Sequence, residues 1–199
     1  NAILLKGEAA WAMTVMFLTM WEYTSGKRED YNSYRPTALP LKAEQGADRW
    51  VQPYTDSPLD GEPVGETVYL NLIAKAKGYV YIMTPYLIIS DSVNTALCSA
   101  AKSGVDVRLI TPHVPDKKTI FEMTRAHYSP LLEAGVRIFE YTPGFVHAKC
   151  FAVDDLYATV GTVNMDYRSM FLHFENGVWL CGDPTVLDVK GDFLDTQEK

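Results

Sequence analysis

The chain is short of what a membrane span requires. Its longest uncharged early run, Ala9 to Trp21, is 13 residues, whereas a bilayer span takes about 20. That run reads as a core or interface helix. Positive charge is scarce too: 18 Lys and Arg stand against 25 Asp and Glu, a net charge of −7. Broad nucleic-acid binding favours a basic face, so nucleic acid is not an expected partner, although a locally positive pocket is still allowed. Cysteine is limited to Cys98, Cys150 and Cys181, an odd set without metal-ligand spacing. Each sits among apolar neighbours, so all three read as buried free thiols, which suits a reducing, cytoplasmic side. Repeats, low-complexity runs and a signal-peptide pattern are absent, and the opening Asn is expected of a trimmed fragment.

What is present has globular proportions. Hydrophobic residues make up 47% and charged residues 22% of 199, enough for one domain with a sound core. Gly7 to Tyr23 reads as a helix, with Trp11, Val15, Leu18 and Met16 wanting a partner surface. Lys27 to Asp48, with Arg35-Pro36 and Leu39-Pro40, reads as a solvated linker. Trp50 to Tyr54 is a strand candidate. Strands and helices then alternate: helix from Glu66 to Lys77, strand from Tyr79 to Thr84, and a helix capped by Asp91 running to Ser103. A strand from Val105 to Thr111 precedes one long helix, Asp116 to Ala134, ended by Gly135, and a strand to Tyr141. A helical turn near Tyr167 to Leu172, a strand to Cys181 and a last helix from Pro184 close the chain. This alternation predicts an α/β fold, a mixed β-sheet flanked by helices on both faces.

One stretch carries chemistry. In HAKCFAVDDLYATVGTVN, His147, Lys149, Asp154, Gly161, Thr162 and Asn164 are spaced as H-x-K-x4-D-x6-G-T-x-N. Around His147 small or apolar residues alternate with polar ones, so His147 and Lys149 share one strand face. A hairpin closing around Asp155 and Leu156 would set His147 opposite Asn164 and Lys149 opposite Thr162. A neutral imidazole can attack phosphorus or protonate a leaving oxygen. The Lys149 ammonium, Asn164 amide and Thr162 hydroxyl can hold phosphoryl oxygens as charge builds on them. Gly161 lets backbone approach a phosphate closely. Glu175, in LHFENGVWL, can orient His147 by accepting from its other nitrogen. Asp154 belongs to the catalytic motif, but at a strand end it is expected to cap a turn or pair with a base. Any one His or Lys here would be an ordinary strand residue; six specified positions over 18 residues are not.

The stretch resembles the HKD motif of the phospholipase D superfamily, with Thr162 where Ser is commoner. The flanks GTVNMDYRSMFLHFENGVWL, YIMTPYLIISD and GVRIFEYTPGFVHAK resemble the C-terminal half of bacterial cardiolipin synthases. The resemblance runs from about Asn1 to about Phe193. It implies two HKD motifs meeting at one site, one histidine phosphorylated and the other acting as acid and then base. Only one motif is present, so residues 1–26 are expected to be the tail of the first half, 27–49 the linker, and 50–199 the second domain. The implied reaction moves a phosphatidyl group between two phosphatidylglycerols and releases glycerol, with no metal and no cofactor. Implied partners are the phospholipid, the first half or a second copy of this chain, and the membrane surface at its cytoplasmic face. The alternatives are a single-motif phosphodiesterase, phospholipase or nuclease, working as a homodimer, and an inactive isolated module. Tyr86, after Thr84-Pro85, is expected at the cleft. His113 and His127 are expected to be structural, and Lys117, Lys118 and Arg125 to lie on a solvated helix face.

Overall fold

The computed structural model describes residues 2–36 and 48–199. The expected linker therefore falls partly outside them; of its described part, Tyr31–Tyr34 forms a 3-10 turn capped by Asp30. Seven strands make one mixed sheet in the order β1 (Trp50–Asp56), β9 (Glu175–Cys181), β7 (Tyr157–Gly161), β6 (Cys150–Val153), β2 (Tyr79–Met83), β4 (Asp106–Pro112) and β5 (Arg137–Tyr141). β2, β4 and β5 run parallel; the β2–β6, β6–β7, β7–β9 and β9–β1 pairs are antiparallel. Two short strands, β3 (Leu87–Ile88) and β8 (Met165–Asp166), pair in parallel beside it. Pro53 is tolerated in β1 because β1 is an edge strand.

Period-2 alternation divides the core between the two faces. Val80, Ile82, Phe151 and Val153 point to one face and meet Leu72 and Ile73 of α2 (Val64–Lys75) and Val93 and Leu97 of α3 (Asp91–Lys102). Tyr81, Met83, Cys150 and Ala152 point to the other and meet Val186, Val189 and Phe193 of α7 (Thr185–Gln197). The apolar positions of α7 recur at helical spacing, which makes one stripe for the sheet. The expected helices on both faces are thus present. α1 (Glu8–Ser25) lies against β1 and buries Leu18, while Phe17, Met20 and Trp21 are exposed.

Three local expectations are corrected. Ser90, not Asp91, caps α3: its Oγ accepts from the Val93 amide at 3.2 Å. The long helix is two, α4 (Lys118–Ala126) and α5 (Tyr128–Glu133), broken at His127. Pro130 explains the break, since it cannot donate to the Ala126 carbonyl and its ring crowds that group. The hairpin register is also off by one. Cys150 pairs with Val160 and Val153 with Tyr157, so three residues, Asp154 to Leu156, close the turn. Asp154 and Asp155 both take positive φ, 52° and 56°, a conformation that Asp tolerates better than most residues.

Candidate active site

β6 runs antiparallel to β2, and Cys150 pairs with Met83. The residues just ahead of β6 therefore lie beyond the carboxyl end of β2, where an open α/β sheet places its crevice. Ala148 is buried with Cys150 and Ala152 on the α7 side. His147 and Lys149 continue the opposite set, that of Phe151 and Val153. The shared face predicted from alternation is observed, and Lys149 Nζ donates to the His147 carbonyl at 2.9 Å.

The two side chains are tuned differently. His147 is exposed at the cleft mouth; desolvation and then the Lys149 charge hold its pKa below the usual imidazole value, opposed by Asp116. Lys149 is half-buried, and burial pulls it down to about 8 against the carboxylates of Glu175 and Asp166. Near neutrality the site thus holds a neutral imidazole beside an ammonium, the pair that nucleophilic attack on a phosphodiester requires.

The supporting residues are placed less simply. With the register shifted, Gly161, not Thr162, stands across from Lys149, and the Gly161 amide donates to the Lys149 carbonyl at 3.2 Å. A Cβ on Gly161 would meet the Asn176 oxygen at 2.4 Å and the Gly177 Cα at 2.6 Å. Gly161 is required by its neighbour strand β9, which corrects the expectation of close approach to a phosphate. Thr162 donates its hydroxyl hydrogen to the Glu175 carboxylate and accepts from the Asn176 amide at 3.0 Å. That hydrogen was expected to go to a phosphoryl oxygen.

Glu175 is buried at the start of β9. It takes Thr162, and it pairs with His173 Nδ1 at 3.4 Å. Among the described residues no hydrogen bond joins it to His147; the one-residue shift turns the carboxylate toward Thr162 instead. Asn164 Nδ2 donates to Ser169 Oγ at 2.8 Å, and its Oδ1 is buried without a protein partner. Ser169 is itself held by Asp166, whose side chain accepts from the Ser169 amide at 2.8 Å.

Asp154 stands apart. It follows β6 while His147 precedes it, roughly 20 Å along an extended chain. Its carboxylate accepts from the amides of Lys77 at 2.6 Å, Gly78 at 2.9 Å and Tyr79 at 2.7 Å. The turn-capping expectation describes it, and the catalytic one is corrected: its oxygens are committed at the opposite end of the strand.

Tyr86 reaches the cleft. It lines a cavity of about 360 Å³ with Ile88, Ile120, Asn164, Asp166 and Tyr167. Its hydroxyl donates to Asp116 at 2.7 Å, and Phe145 connects its ring to the imidazole of His147, at 6.1 and 5.7 Å between centroids. Lys117, exposed at the start of α4 as expected, also lines this cavity, and so does His173. His173 escaped notice because it carries no motif; its signal was the i, i+2 spacing to Glu175. His113 is a surface group paired with Glu140 at 2.8 Å. A larger cleft of about 700 Å³ lies between residues 2–9 and α7, with Lys6, Asp183, Asp188 and Asp192 in its lining. Three carboxylates against one ammonium disfavour a phosphate there.

The family described as "Cardiolipin synthase, PLD-like domain" matches residues 69–195. A Streptococcus mutans protein, described as uncharacterized, is 47% identical over 98% of this chain and 42% of its own length. The cardiolipin synthase of Geobacillus kaustophilus is 37% identical over 97% of this chain and 38% of its own. The chain thus spans about two fifths of the length of these curated relatives. In fold it is similar to a phospholipase D family member, Nuc, from Salmonella typhimurium, with a TM-score of 0.64 at 20% identity, over 75% of this chain and 94% of that one. By sequence and by fold, this chain belongs to the phospholipase D-like domain family of cardiolipin synthases.

Proposed function

We propose that the chain is the second half of a cardiolipin synthase and that His147 is one of its two catalytic histidines. The observation that carries this is the neutral imidazole of His147 beside the half-buried Lys149 ammonium on one face of the sheet. In the first step a histidine nitrogen attacks the phosphorus of phosphatidylglycerol. The P–N bond forms, the P–O bond to the headgroup breaks, and glycerol leaves with a proton from the companion histidine. In the second step a hydroxyl of another phosphatidylglycerol attacks phosphorus. The P–N bond breaks, and the hydroxyl proton passes back to the companion histidine. The products are cardiolipin and glycerol, and the intermediate is a phosphohistidine.

Lys149 neutralises the non-bridging oxygens, and Asn164 Nδ2, which keeps a second hydrogen beyond the one given to Ser169, donates to another oxygen of the phosphodiester. Thr162 and Glu175 act behind them. Glu175 holds Thr162 and supplies the negative charge that keeps Lys149 protonated. Residues 1–26 are the tail of the first half, 27–49 the connection and 50–199 the second domain. No helix among the described residues is long and apolar enough to cross a membrane; the full-length protein works at the cytoplasmic face of the membrane through parts beyond these residues. The test is to quench the full-length protein with phosphorus-labelled phosphatidylglycerol. Acid-labile label on histidine and release of glycerol are expected, and a His147→Asn variant that still forms cardiolipin would overturn the assignment.

A further inference from the structure

The cleft beside Asn164 has two kinds of lining. Lys117, Arg168 and His173 supply positive or protonatable groups against the one carboxylate of Asp166; Ile88, Ile120 and Met123 supply an apolar surface. Among the described residues the side chains of Lys117 and Arg168 take no ion pair or hydrogen bond. The neighbouring carboxylates are already engaged. Asp116 accepts from Tyr86, Glu140 takes His113 and Arg125, Asp166 holds Ser169, and Glu175 takes Thr162 and His173. In a chain of net charge −7, two unpaired cations against the single carboxylate of Asp166 leave this lining positive, complementary to an anion. Met123 is 48% exposed, so that anion meets an apolar surface as well. A ligand with a negative head and an aliphatic stem satisfies both linings. The inner wall is Asn164, whose Oδ1 lacks a protein partner, and the Tyr86–Phe145–His147 ring contacts connect the cleft to the imidazole.

We propose that this cleft seats the acceptor of the transfer, an anionic glycerophospholipid. Its phosphodiester lies among Lys117, Arg168 and His173, and its first acyl carbons lie on Ile88, Ile120 and Met123. The inference rests on the phosphatidyl-transfer reading and adds the residues that select the acceptor. Lys117 and Arg168 pull a charged acceptor into place, so that its free hydroxyl reaches the phosphorus held on histidine. An uncharged alcohol reaches the same phosphorus without them.

The experiment uses the full-length protein with vesicles of acyl-labelled phosphatidylglycerol and added ethanol. Cardiolipin reports transfer to the anionic acceptor, and phosphatidylethanol reports transfer to the neutral one. A Lys117→Ala/Arg168→Ala variant is expected to lower the ratio of cardiolipin to phosphatidylethanol about tenfold, the scale of one lost charge-assisted contact. Lys117→Gln alone lowers it less, and Lys117→Arg restores it. Lys117 is exposed, so the single variants guard against a folding defect in the double one. An unchanged ratio overturns the proposal, whether both products persist or both fall together. If the unsubstituted protein yields phosphatidylethanol and no cardiolipin, transfer stands but the reading of phosphatidylglycerol as the acceptor has failed, a result distinct from an unchanged ratio.

Discussion

Replacing Asp154 separates architecture from chemistry in the motif. Asp154→Ala removes an acceptor for three backbone amides, those of Lys77, Gly78 and Tyr79. A bond to a charged group contributes about 1.5–3 kcal/mol when buried. The Lys77 and Gly78 amides are exposed, so water replaces much of that, and about 1 kcal/mol each is the better figure. Asp154 also sits at φ 52°, where Ala costs about 1 kcal/mol more than Asp or Asn. With about 2 kcal/mol for the part-buried Tyr79 amide, the sum is about 5 kcal/mol for Ala. Asn tolerates the same φ and keeps one oxygen, so about half that loss is expected. For a chain of this size the Ala variant should melt about 10–20 °C lower by calorimetry, at ~2–4 °C per kcal/mol. Activity per folded molecule of the full-length enzyme should stay within about twofold, since the side chain is remote from His147. An Asp154→Asn protein with an unshifted melting temperature and a hundredfold loss of activity would refute this reasoning.

Three further outcomes are expected. His147→Asn should lower transfer by about 10³-fold or more with no change in melting temperature, because the side chain is exposed; labelled product counts and calorimetry check both. With His147 as the attacking histidine, the pH profile of kcat/KM should rise as His147 loses its proton below the usual imidazole range, and a profile without that limb would assign it the proton-donor role. The profile should fall again near pH 8 as Lys149 loses its charge, and Lys149→Arg should remove that falling limb. Gly161→Ala should destabilise by about 3 kcal/mol in denaturant titration, because the new Cβ meets backbone of β9 that cannot move aside; a loss below the resolution of the titration would show that β9 yields.

Much of the fold was legible because burial writes itself as alternation. Phe151 and Val153 against Cys150 and Ala152 mark two sheet faces, and the same count places His147 with Lys149. The register was not legible, because it rests on two consecutive Asp residues at positive φ, a choice made by the amides that Asp154 accepts from a segment 75 residues away. The broken helix was legible in principle, since Pro130 stood in it. The partners of Glu175 were hidden for a different reason. A carboxylate on one strand and a hydroxyl at the end of another meet only through the strand order, which neither segment encodes alone. Lys117 and His173 lie on separate elements, and only the closed fold turns them toward one cavity.

The edge position of β1 has a consequence for biosynthesis. Trp50 pairs with Cys181, and Asp56 pairs with Glu175. On a growing chain β1 emerges early and finds no partner until β9 has been translated. Everything between them can begin to fold while the strand that backs Glu175 waits as an unsatisfied edge. The last ladder to zip is the one that lays Tyr54 over Gly177 and sets Thr55 against the Glu175 carbonyl. The nascent protein therefore carries His147 and Lys149 before it can hold Glu175 in place behind them, and the finished site arrives only with the final strand.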